Sequence, residues 1–227
     1  MLSVPSCLVK GLTMIRFTTT LFLMFFISAA NAGSFWHFSD KPVDSVIKIR
    51  AESVQGLVSG SGVIVGPGRI VTAYHVVNGA HEVEAEVNGE VLQGNVLLHD
   101  LQHDLALISV PTEGMPYVPL LPGDQHLAQQ QLVSLVGFPF GDEQQAYDAM
   151  VSSWIDSRYD EIYVNAPILG GESGGGLFAT VDGQVYLAGV ITASTSTGVG
   201  EGISGGTAVP VAYLRRMLTA GRSVASR

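Results

Sequence analysis

Ser173 lies in Gly170-Gly171-Glu172-Ser173-Gly174-Gly175-Gly176, a serine with glycines on both sides. A serine hydroxyl becomes a useful nucleophile only when a neighbouring base takes its proton. Flanking glycines let the backbone turn sharply and bring amide N–H groups near a substrate carbonyl, where they stabilise the oxyanion of a tetrahedral intermediate. The chemistry indicated is acyl transfer. A flexible Gly/Ser loop has the same composition, so the motif needs a base and an orienting acid elsewhere in the chain.

All six histidines (His37, His75, His81, His99, His103 and His126) precede Ser173. Gly171-Glu172-Ser173-Gly174-Gly175 matches the G-x-S-x-G elbow of α/β-hydrolases, but that fold places its histidine after the serine. The order His, Asp, Ser remains, one of the known triad orders. His75 ends the apolar stretch Val71-Thr72-Ala73-Tyr74, so a rigid strand would carry its imidazole. Asp104 directly precedes the apolar run Leu105–Val110. A buried strand there would hold the carboxylate beside the histidine, where it accepts the Nδ1–H and favours the productive tautomer. Asp100 competes for this role but lies farther from the run and reads as a turn residue. His99 and His103 would face one metal only on a helix. The pattern around them is strand and loop, so no metal and no cofactor is expected.

The elements that must position these residues read as strands. Glycine is abundant (27 residues), and short Val- and Thr-bearing runs recur between turn signals. Glu82–Val87 and Glu90–Leu98 form a hairpin pattern around Asn88-Gly89, a pair that favours a type I′ turn. Pro111, Pro116, Pro119 and Pro122 mark a linker. Strand patterns resume at Gln131–Gly137, Tyr147–Ile155, Glu161–Asn165, Gly175–Thr180, Val185–Thr192 and Thr207–Val209. After Pro210, Val211, Leu214, Met217 and Leu218 recur at helical spacing, with Gly221 as a stop signal. The fold class is all-β: two small barrels, a linker and a C-terminal helix.

Hydrophobic residues make up 47% and charged residues 14%, enough for a packed core. Nine basic and 20 acidic residues follow position 33, a net of −11. Such a surface repels phosphate backbones, so nucleic acid is not an expected partner. Arg16, the apolar run Leu21–Ile27 and Ala30-Asn31-Ala32 form a signal-peptide pattern with cleavage after Ala32. The apolar run is shorter than the ~20 residues of a spanning helix, so no stable membrane span is expected after cleavage. The single cysteine, Cys7, precedes the cut, which leaves a mature chain without disulfides. Periplasmic or secreted localisation in a bacterium follows as the expectation.

Thr72-Ala73-Tyr74-His75, His103-Asp104-Leu105-Ala106-Leu107 and Gly171-Glu172-Ser173-Gly174-Gly175 together resemble the three motifs of the trypsin/chymotrypsin superfamily. Gly60-Ser61-Gly62-Val63-Ile64-Val65 and Gly189-Val190-Ile191-Thr192-Ala193 are similar to segments of the bacterial high-temperature-requirement (Deg) proteases. The resemblance spans about residues 45–218. It implies two six-stranded antiparallel trypsin-like β-barrels, barrel one at about 45–112, a linker at 113–124, then barrel two with the helix at 125–227. A signal peptide (1–32) and a lead-in (33–44) precede them.

The implied activity is serine endopeptidase, acting on protein or peptide substrates through an acyl-enzyme. His75 is then the base, Asp104 its orienter and Ser173 the nucleophile, with the N–H groups of Gly171 and Ser173 as the oxyanion hole. Pro167, Thr192, Ala193, Ser194, Gly206 and Ala208 would line the specificity pocket. None is charged, which points to a small or medium apolar side chain before the cut. Deg relatives often form trimers through aromatic residues near the mature N-terminus. Phe35, Trp36 and Phe38 could serve so, although aromatic clusters usually fill cores and packing on their own barrel is the preferred reading.

Three features depart from the pattern. Gly176 stands where many relatives have proline, and Glu172 where they have aspartate or asparagine. The Ile-Val-Gly-Gly start that locks activated trypsin-like zymogens is missing at Gly33, so the site is expected to order by other means. A PDZ domain after the helix is not expected. The competing function is a latent or non-catalytic protease-fold binding protein, and a weaker one is an esterase on the same scaffold.

Overall fold

The computed structural model describes residues 40–123, 127–155, 161–195 and 205–225. The signal-peptide segment, the aromatics Phe35, Trp36 and Phe38, and His126 lie outside the described residues. A short helix α1 (Asp40–Ser45) opens the described chain within the stretch read as a lead-in.

Strands β1 (Val46–Ser53), β2 (Gly56–Gly66), β3 (Arg69–Ala73), β4 (Ala80–Val87), β5 (Glu90–Asp100) and β6 (Leu105–Ser109) close a barrel in the order β1-β2-β3-β6-β5-β4. Strands β7 (Leu132–Gly137), β8 (Gln145–Ile155), β9 (Glu161–Val164), β10 (Gly176–Val181), β11 (Gln184–Thr195) and β12 (Gly205–Pro210) close a second in the order β10-β11-β12-β9-β8-β7. All pairings within both barrels are antiparallel. Closure leaves no open sheet edge in either barrel. The β4–β5 hairpin turns at Asn88 and Gly89 with φ of 51° and 80°, as the Asn-Gly pair predicts.

The apolar run on β6 is buried on both faces. Ala106 and Ile108 join the interior of the first barrel, with Ile47, Ile49, Ile64 and Ile70. Leu105 and Leu107 join the cluster that fills the second barrel, with Leu135, Ile162, Leu177 and Phe178. Side chains alternate along a strand, so a strand sandwiched between two cores must be apolar at every position. Each Leu or Ile removed from water here contributes about 1.5–3 kcal/mol. Because β3 pairs with β6, the end of β3 and the start of β6 meet where the barrels abut.

The proline-bearing connection is pinned to both barrels. Val118 N–H donates to Ile64 of β2 (3.2 Å), and Leu121 N–H to Leu187 of β11 (2.8 Å). Helix α3 (Val211–Ala225) starts directly after Pro210 and continues through Gly221, the expected stop. A lone glycine costs a helix only about 1 kcal/mol, too little to end it.

Candidate active site

His75 sits on α2 (Tyr74–Val77), a single helical turn that β3 runs into, rather than on the strand itself. Its Nδ1 lies 2.6 Å from Asp104 Oδ2, and its backbone N–H donates to Asp104 Oδ1 at 2.8 Å. Tyr74 N–H donates to the Asp104 carbonyl at 3.0 Å. Asp104 has φ of 52°, a left-handed conformation that aspartate tolerates better than most residues. Three hydrogen bonds from one helical turn therefore hold it. With Nδ1 committed to the carboxylate, the Nε2 of His75 is left to act as an acceptor.

Asp100 takes the turn role expected of it. Its Oδ1 accepts the N–H groups of Gln102 (3.0 Å) and His103 (3.1 Å), and its Oδ2 lies 2.6 Å from His103 Nδ1. Burial alone would raise its carboxyl, but these His103 and Gln102 contacts hold it below the usual range. His103 stacks on Tyr213 of α3, and His99 stacks on Tyr74. The two histidines therefore occupy separate aromatic contacts. Among the described residues no group of three metal-ligating side chains assembles.

Ser173 lies in the loop between β9 and β10, which the first barrel holds in place. Ser61 N–H donates to the Ser173 carbonyl (2.8 Å), and the Ser61 hydroxyl donates to the Gly171 carbonyl (2.8 Å). The same hydroxyl accepts Phe138 N–H at 2.9 Å. Gly174, at φ +87°, presses against Ser61, Thr72 and Ala73 so closely that no Cβ fits. Within the loop, Glu172 N–H donates to Leu169, Gly174 N–H to Ile191 and Gly175 N–H to Glu172. The N–H groups of Gly171 and Ser173 have no acceptor among the described residues. The Ser173 hydroxyl donates to the Thr192 carbonyl at 3.3 Å and makes no hydrogen bond to His75.

The residues expected to line the pocket are spread over this loop, β11 and β12. Pro167 is exposed, and its carbonyl accepts the hydroxyl of Tyr147 at 3.0 Å. Thr192 is buried on β11; Ala193 pairs with Thr207 and Ser194 with Gly206 on β12. The side chains of Ala193 and Ser194 lie outside the described residues. Ala208 is fully buried in the second barrel's core. Gly206 is covered by the side chain of Ile168, which is 6% exposed and leaves no room for a Cβ there.

Sequence reasoning missed Ile168 within the loop, and Ser61 and Tyr147 beside it. Ser61 was visible only as the middle of Gly60-Ser61-Gly62. Tyr147 contacts the loop across 25 residues and carries no local signal.

Comparison with known proteins agrees with the fold. Residues 60–186, more than half of the chain, match the family described as the trypsin-like peptidase domain. Serine protease Rv3671c of Mycobacterium tuberculosis is 28% identical over 155 residues, 62% of this chain and 38% of the relative. A probable periplasmic serine endoprotease of DegP-like type from Halomonas elongata is 33% identical over 134 residues, 56% of this chain and 28% of the relative. These alignments span well under half the length of the relatives. The solved serine endoprotease from Yersinia pestis superposes with a TM-score of 0.70 at 26% identity, covering 83% of this chain and 66% of that one. With two closed barrels, a glycine-flanked serine loop braced by the first of them and this match, the chain belongs to the trypsin-like peptidase domain family.

Proposed function

We propose that the chain is an exported serine endopeptidase that uses His75, Asp104 and Ser173. The observation that carries the reading is the double hydrogen bond from His75 to Asp104, at 2.6 and 2.8 Å, on the same barrel whose Ser61 N–H holds the Ser173 carbonyl. Asp104 fixes the tautomer that carries hydrogen on Nδ1, so Nε2 is the basic nitrogen. The reaction requires the Ser173 hydroxyl to leave the Thr192 carbonyl for that nitrogen, a change of side-chain rotamer.

Ser173 Oγ attacks the scissile carbonyl and its proton passes to His75 Nε2. Gly171 and Ser173 N–H groups receive the oxyanion. The C–N bond breaks as His75 returns the proton to the leaving amine. Water then attacks the acyl ester, gives one proton to His75 and releases the new carboxyl end, and the proton returns to Ser173. The uncharged residues expected around the pocket, with the Ile168 side chain lying over Gly206, support a small or medium apolar residue before the cut. Export rests on the signal-peptide pattern and on the periplasmic description of one relative. Among the described residues, no helix is long and apolar enough to cross a membrane.

The orientation of the Ser173 hydroxyl toward Thr192 favours one second reading, a latent protease-fold protein. Labelling of the folded protein with a fluorophosphonate, beside S173A, decides between them. Labelling of the wild type alone, with cleavage of casein, supports the endopeptidase. Absence of both selects the latent protein.

A further inference from the structure

Glu172 directly precedes the nucleophile and is 1% exposed, yet the reaction above makes no use of it. A carboxyl group shielded this completely is costly unless donors satisfy it. Two donors converge on one oxygen: Leu169 N–H lies 2.6 Å from Oε2, and the Tyr147 hydroxyl 3.1 Å. The single Tyr147 hydroxyl hydrogen is shared between this oxygen and the Pro167 carbonyl, 3.0 Å away, so the phenol sits between two points of the loop. Glu172 N–H returns a bond to the Leu169 carbonyl at 3.1 Å, and the Glu172 carbonyl accepts Gly175 N–H at 2.8 Å. The segment from Pro167 to Gly175 is thus closed around one carboxyl group. Tyr147 is the side chain that reaches this group from outside the loop among the described residues.

Gly171 lies inside this closed segment, between Leu169 and Glu172. The direction of its N–H is set by how the ring of hydrogen bonds sits. We propose that Tyr147 and Glu172 are positioning residues that aim the Gly171 and Ser173 N–H groups at the substrate carbonyl, an assignment that rests on the endopeptidase reading. Burial and the neighbouring Glu172 charge both raise the Tyr147 phenol, which keeps it a donor. Burial raises the Glu172 carboxyl, and the bonds from Leu169 and Tyr147 oppose that rise.

The test uses Y147F, E172Q and the double variant in the full chain, with amide hydrogen exchange over residues 167–175, melting temperature and peptide kinetics. Y147F removes one hydroxyl and leaves the ring packing, so it serves even where E172Q fails to fold. The expected result is at least about tenfold faster exchange at Leu169 and Glu172. It is accompanied by a fall in kcat of about 10–100-fold with KM within about twofold, since a displaced oxyanion donor acts on the transition state. The double variant should be little worse than either single one, because both break the same anchor. Wild-type exchange in Y147F, a raised KM with unchanged kcat, or effects that multiply in the double variant would overturn the proposal. If the wild type neither labels nor cleaves while exchange still accelerates in the variants, the endopeptidase reading fails and the loop anchor stands. If the wild type is active and exchange is unaltered, the anchor alone fails.

Discussion

Ser61 and Ser173 belong to different barrels, and the backbone N–H of the first donates to the carbonyl of the second at 2.8 Å. The histidine and aspartate come from the first barrel and the candidate nucleophile from the second. Their mutual placement therefore depends on contacts that cross the barrel boundary. Ser61 supplies two more, from its hydroxyl to Gly171 and from Phe138 to its hydroxyl.

S61A keeps the backbone bond but leaves the Gly171 carbonyl and the Phe138 N–H, both partly buried, without their side-chain partner. Each unsatisfied group costs about 1–3 kcal/mol. The variant should melt several degrees lower and lose about tenfold or more in kcat, as the loop that carries Ser173 loosens. Thermal unfolding and peptide kinetics check this. Unchanged kcat in the variant would show that the bracket serves stability alone.

D104N isolates the orienting role. Asparagine tolerates the left-handed φ of 52° as aspartate does, so the fold should persist. Its amide favours the wrong tautomer of His75, and kcat should fall by about 10⁴ with KM little changed. A D104N enzyme with near-wild-type kcat would remove Asp104 from the triad.

The architecture, and the meeting of His75 with Asp104, were legible because each has a local signature. The continuous apolar run Leu105–Val110 announces a buried strand, and the glycines around Ser173 announce a backbone that turns sharply. The Asn88-Gly89 turn could be read from two letters. The pocket was less legible. Ile168 follows Pro167 in sequence but declares its role only through Gly206, on a strand brought beside it by the second barrel's closure. Tyr147 and Glu172 meet through a similar long-range fold, so neither residue type nor spacing reveals the pair.

I168A tests the pocket. Removing this side chain over Gly206 opens space that a larger substrate group can fill. The variant should lose about 2–4 kcal/mol of stability from the cavity. Its preference before the cut should shift toward larger apolar residues by about 10-fold or more, the scale set by a few methylene groups. Mapping cleavage sites in a peptide mixture by mass spectrometry reads the shift. An unaltered preference would place the pocket elsewhere.

Glu172 also gives a stability signature with a definite sign. Its carboxyl is raised above the ordinary 4.5 by burial. Between that value and its folded-state value, the folded chain holds a proton that the unfolded chain has released. Stability from this group is therefore greatest below the unfolded value and declines as pH rises through the window, then levels off. The urea midpoint of E172Q should lack this decline, so the difference between wild type and E172Q should change across the acidic range and become constant above it. Parallel midpoints at every pH would show that Glu172 does not titrate differently on folding.

G174A tests whether the nucleophile loop must enter the first barrel as closely as it does. At φ +87° an alanine is strained by roughly 1–2 kcal/mol before any contact is counted. Its Cβ would also collide with the Ser61 carbonyl, the Thr72 hydroxyl and the Ala73 N–H, of which two are backbone groups on paired strands. Overpacking of this kind adds about 1–3 kcal/mol. Relief requires the loop to withdraw, and withdrawal carries Ser173 away from His75. Fluorophosphonate labelling should therefore be abolished in G174A even where circular dichroism reports intact barrels. A variant that labels at the wild-type rate would mean that the loop has room to retreat without moving its nucleophile, and that barrel contact is not what sets the geometry of the site.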